Sequence, residues 1–154
     1  MLPTAIEIER HLHKLVHREV SCAAKPPKSP IKPVAAGLYH GGDGRVIAAC
    51  AADLPLAACL GACLSIMPSE VAQDAIRAGR LDEILAENFA EVLNVISRLF
   101  TRPLDGRVAL LKAIVDPAAV PGELAPLATG TKQALFSVEI EGYGSGMFSL
   151  WAVA

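Results

Sequence analysis

LDEILAENFAEVLNVISRLF, residues 81–100, carries apolar side chains at Leu81, Ile84, Leu85, Phe89, Val92, Leu93, Ile96 and Leu99. Steps of three and four predict one long amphipathic helix whose stripe faces a core. At about 100° per residue, Glu87, Glu91, Asn94 and Arg98 fall together on the other side, within an arc of roughly 60°. They form one polar row looking away from the core.

A polar face opposite an apolar stripe is usually only a solvated surface. Two features of this one carry a local cost. Glu87 and Glu91 stand one turn apart with like charge, which weakens a helix slightly. Asn94 sits mid-helix although its amide competes for backbone hydrogen bonds. Cost without local return points to use by something outside the helix.

The chain has 154 residues, enough for one domain, 1–154, that buries a core without disulfides or a structural metal. An apolar share of 53% against 19% charged excludes a disordered chain. With a net charge of −2 and no Lys/Arg cluster interleaved with aromatics, no nucleic-acid partner is expected. The first residues hold acids and histidines where a secretory leader needs a basic start and an apolar run, so a cytoplasmic location is expected. The segment 46–67 is apolar enough to suggest a membrane span, but Asp53 and Pro55 interrupt it. It reads as a strand followed by a buried helix, with no membrane partner.

Cys22, Cys50, Cys59 and Cys63 match no CxxC pair or zinc spacing and read as small packed thiols. His13 and His17 lie one helical turn apart, a spacing two metal ligands can use, but no third ligand is near in sequence. No metal site is assigned.

In chain order, Thr4 is placed to cap a helix running to about Val20, lined by Ile8, Leu12, Leu15, Val16 and Val20. The Pro- and Lys-rich stretch 24–33 is a connector. Residues 34–40 and 45–52 read as strands of a hairpin turned by Gly41, Gly42, Asp43 and Gly44, the second apolar enough to be buried on both faces. Asp53 caps a helix from about Leu54 to Met67, and Ser69 caps a short one ending near Gly79. Arg102 and Pro103 close the long helix. A strand over 107–115 and a long, mobile loop over 116–131 follow. The alternating segment 132–141, a Gly-rich turn and a last strand, 147–153, finish the chain. About five mostly antiparallel strands with helices packed on them make an α+β fold.

This order of elements, with the Gly-Asp-Gly hairpin and the long helix carrying Glu87, Glu91 and Asn94 as acid-xxx-Glu-xx-Asn, resembles the CheC/CheX chemotaxis phosphatases. The likeness is greatest to the CheX branch, with one such helix. It implies hydrolysis of the aspartyl phosphate on a CheY-type response regulator. Glu91 would dock against the regulator's active-site lysine and Asn94 would orient the attacking water. Glu87 and Arg98 would flank them as partner contacts. The resemblance further implies a homodimer and no cofactor of the protein's own, Mg2+ being held by the regulator. The chain departs from the family pattern at Glu87, where an aspartate or serine is usual, and after Asn94, where small residues give way to Arg98. Flagellar switch proteins share the same fold and bind partners without hydrolysis, which makes an interaction module the alternative.

Overall fold

In the computed structural model, residues 2–27, 29–101 and 106–153 are described. A six-stranded sheet in the order β1-β5-β6-β3-β2-β4 forms the frame, and every neighbouring pair is antiparallel. Its strands are β1 (Val20–Lys25), β2 (Pro33–His40), β3 (Val46–Asp53), β4 (Ala109–Ile114), β5 (Thr131–Ile140) and β6 (Gly144–Val153). The helices are α1 (Ala5–Val16), α2 (Leu54–Leu64), α3 (Ser69–Ala78), α4 (Glu83–Thr101) and the short α5 (Val120–Leu124).

One more strand is present than the sequence reading expects, and its origin is local. Val16 and Val20 continue a helical spacing, but α1 stops at Val16 because His17 adopts a left-handed conformation (φ 57°) and its N–H closes on the His13 carbonyl at 2.8 Å. Glycine usually fills that position. Val20 therefore belongs to β1, paired with Ile140, and the strand takes in Ala24 and Lys25 of the expected connector. β1 is a sheet edge, and the Glu9 carboxylate of α1 accepts from the Cys22 N–H at 3.0 Å, occupying a donor that would otherwise invite another strand.

β3 is central and buried on both faces from Ala48 to Ala52, as its composition predicts. Tyr39, Cys50, Ala52, Phe136, Val138, Phe148 and Leu150 join the core beneath α1, α2 and α4. Ala36, Leu38, Ala49, Ala51 and Trp151 point to the other face. The segment expected as a mobile loop over 116–131 folds into α5 and a 3-10 turn, Ala125–Ala128, and buries Val120 and Leu127 against that second face. A sheet apolar on both sides needs this cover.

Asp53 accepts from the Leu56 N–H at 3.1 Å and starts α2, which lies on the sheet nearly devoid of exposed side chains. Gly146 permits the contact: a Cβ there would stand 2.5 Å from the Leu56 nitrogen. The Gly-rich segment is thus partly strand, Gly146 pairing with Val138, and the turn itself is shorter. α2 ends at Leu64 rather than Met67, and α3 begins after Pro68 with no side-chain cap from Ser69. Arg102 and Pro103, expected to close α4, lie outside the described residues. No helix among the described residues is long and apolar enough to cross a membrane.

Candidate functional site

Asp82 accepts from the Leu85 N–H at 2.8 Å and begins α4. Leu85, Phe89, Val92, Leu93, Ile96 and Phe100 are fully buried, with Leu99 close behind. Ile84 departs from the expected stripe. About 20° from Glu91 but about 60° from Leu81 and Leu99, it lies beside the polar row and is 56% exposed.

Two attachments fix the rotation of α4. The Tyr39 hydroxyl on β2 donates to the Leu93 carbonyl at 2.7 Å, and its ring stands 5.2 Å from that of Phe100. Tyr39 lies flat along its strand over Gly37, where a Cβ would come within 2.7 Å of the hydroxyl. Asn88 supplies the second attachment, donating to the Gly61 carbonyl at 2.9 Å and to Ser65 Oγ at 2.8 Å. The helices close tightly there, since a Cβ on Gly61 would stand 3.0 Å from the Leu85 carbonyl oxygen. In the sequence Asn88 is marked only by an amide beside the apolar stripe rather than opposite it, a signal too weak to single it out.

With α4 held this way, Glu87, Glu91, Asn94 and Arg98 are all exposed on its outer side. Among the described residues, neither carboxylate nor the Asn94 amide makes a hydrogen bond or ion pair within the chain. The contact at Asn94 is to its backbone carbonyl, which accepts from Ser97 Oγ at 2.8 Å. Contrast with Asn88 is informative: one asparagine of α4 is spent on packing and the other presents its amide to solvent. The row also carries a charge gradient. Glu87 and Glu91 occupy its first half and Arg98 ends it.

Beside this face stands Ile66, in the turn after α2 and adjacent to the Ser65 that Asn88 holds. It is 83% exposed and left-handed (φ 56°), a conformation costly for a β-branched side chain. Ile84 and Ile66 therefore flank Asn88 with apolar surface next to the acids.

The titratable side chains predicted as packing groups behave as such. Cys50, Cys59 and Cys63 are buried and Cys22 is half-buried, all as free thiols. Burial pushes Cys50 and Cys22 up to about 12 and Cys59 to about 11, far from a reactive thiolate. His13 Nδ1 is 2.7 Å from the Arg18 carbonyl and His17 forms the left-handed cap, so both serve the end of α1.

By sequence, neither a family model nor a curated protein matches the chain. Its fold, however, is found in solved structures. The FliY protein of Thermotoga maritima superposes with a TM-score of 0.60 at 13% identity, over 95% of this chain and 82% of that one. FliM from H. pylori, solved in complex with SpeE, gives 0.62 at 8% identity, over 97% and 81%. The CheX-CheY-BeF3-Mg2+ complex from Borrelia burgdorferi gives 0.56 at 16% identity, over 94% and 90%. The chain has the α+β fold common to the CheC/CheX, FliM and FliY proteins, and at such identities the likeness speaks to fold alone.

Proposed function

We propose that the protein is a CheX-like phosphatase acting on the aspartyl phosphate of a CheY-type response regulator. One observation carries this reading: Glu87, Glu91 and Asn94 are exposed, and unpaired among the described residues, on a helix whose opposite side is sealed into the core. Side chains on a convex helix suit insertion into a partner's concave site, so no deep pocket is needed on this protein.

Hydrolysis of an acyl phosphate forms a bond from water oxygen to phosphorus and breaks the bond from phosphorus to the aspartyl oxygen. Inorganic phosphate and a free carboxylate result. Such transfer is governed by in-line positioning and charge compensation, with little covalent work for the protein. Asn94 offers a carbonyl oxygen and an amide without titrating, which suits a group that orients water. Glu91 would meet the regulator's active-site lysine, and Glu87 and Arg98 would contact the surrounding surface. Mg2+ would be contributed by the regulator, as BeF3 and Mg2+ accompany CheY in the CheX complex. A homodimer working in chemotaxis signalling completes the reading, its mass measurable by analytical ultracentrifugation.

The experiment is a phosphate-release time course on phosphorylated regulators. Asn94→Ala should lower the accelerated rate about 100-fold, within the range seen when one transition-state contact is removed, while retaining regulator binding. Glu91→Ala should weaken binding itself. A binding module is the second reading, supported by a likeness to FliM as good as that to CheX. Saturable binding of the regulator with unaltered phosphate loss would establish it and end the phosphatase reading.

A further inference from the structure

Where α1 runs beside the end of α4, the surface opens into a cleft of about 280 Å³ lined by Glu7, Arg10, His11, Lys14, Arg98 and Leu99. Three cations converge there from two helices, although nothing in the packing of α1 on α4 calls for them. Among the described residues, none of Arg10, Lys14 and Arg98 forms an ion pair. The one carboxylate, Glu7, is turned toward the helix start, where it accepts from the Thr4 hydroxyl at 3.1 Å and the Thr4 N–H at 3.4 Å. It serves the capping box rather than its cationic neighbours.

His11 packs its ring toward α4, where its Nε2 is shielded from solvent and the Val95 carbonyl acts on it as an acceptor. The ring belongs to the wall of the same cleft.

We propose that this cleft binds a tetrahedral oxyanion of the phosphate class, clasped by Arg98 from α4 and by Arg10 and Lys14 from α1, with the His11 ring as part of the wall. Charge selects the class. Three cations and one carboxylate leave two positive charges, which a phosphate dianion matches and a carboxylate only half matches. Several oxygens also allow simultaneous bonds to two guanidinium forks and an ammonium. The site does not depend on the phosphatase reading, since no step of hydrolysis enters the argument.

Occupancy should change His11. Burial pushes its pKa below 6.5, Arg98 and Lys14 push the same way, and the Val95 carbonyl opposes them. A dianion among Glu7, Arg10, Lys14 and Arg98 would offset the two cations and raise it again.

The test is a titration of the intact protein with inorganic phosphate at constant ionic strength, read by NMR at the His11 ring and the Arg98 amide, with chloride as reference. A saturable shift and an upward move of the His11 pKa are expected. Arg98→Ala should weaken binding about 10-fold, with partial recovery in Arg98→Lys. Phenyl phosphate in a parallel titration separates the sources: tighter binding than inorganic phosphate assigns the site to a monoester, weaker binding to the free ion. An unsaturated response, a response equal to that of chloride or acetate, or full affinity in Arg98→Ala would overturn the proposal.

Discussion

Tyr39 shows how one side chain sets the aim of the candidate site. Its hydroxyl donates to the carbonyl of Leu93, the residue before Asn94, and lies 3.3 Å from Cys50 Sγ in full burial. Burial pushes its pKa well above 10, so it remains a neutral donor. In Tyr39→Phe the ring stays over Gly37 and against Phe100, but the bond to α4 is lost. A loss of about 1 kcal/mol in stability is expected, the net worth of one such bond, measured as a shift of the urea midpoint with unchanged slope. Position Asn94 was legible in the sequence because helical periodicity alone tells in from out. Tyr39 was not, because its partner lies far along the chain and belongs to the backbone.

At the level of elements, α2 and α4 approach one another through Gly61, whose carbonyl also receives Asn88. Added bulk has no empty space to enter. Gly61→Val should destabilise by about 1–3 kcal/mol, the usual cost of overpacking a close contact, and by displacing α4 should impair regulator binding in proportion. Calorimetry and binding on the same samples would check both halves, and unimpaired binding in a destabilised variant would mean that the row's placement tolerates movement of α4. The elements that sequence reading placed well are those whose periodicity is long: α4, the β2–β3 hairpin and the alternating half of β5. It overran α1 because a histidine, not glycine, takes the left-handed cap. It missed α5 because five residues with a proline in the first turn carry no helical period, and only the apolar second face of the sheet reveals what Val120 and Leu127 are for. Ile84 fits the three-and-four spacing from Leu81, yet its helical angle falls beside Glu91, and its exposure follows that angle rather than its apolar side chain.

For the molecule as a whole, two partly buried groups make stability depend on pH in opposite senses. His11 has its folded pKa depressed below 6.5, chiefly by burial, so the folded state resists its protonation. Its penalty is absent above 6.5 and grows as pH falls from there through the folded value. Asp53 is raised above 3.8 because burial outweighs the bonds it accepts, the Leu56 N–H foremost. Its penalty is absent below 3.8 and grows as pH rises through the folded value. The two variants should therefore separate on a plot of stability against pH. His11→Gln should gain on the parent progressively as the solution is acidified below 6.5. Asp53→Asn, which keeps an oxygen to cap α2, should gain on the parent toward neutral pH and lose that gain in acid. Urea melts across the range measure both curves. Parallel curves for His11→Gln and the parent would mean that the ring titrates as freely folded as unfolded, and that the cleft between α1 and α4 neither shields it nor presses its cations upon it.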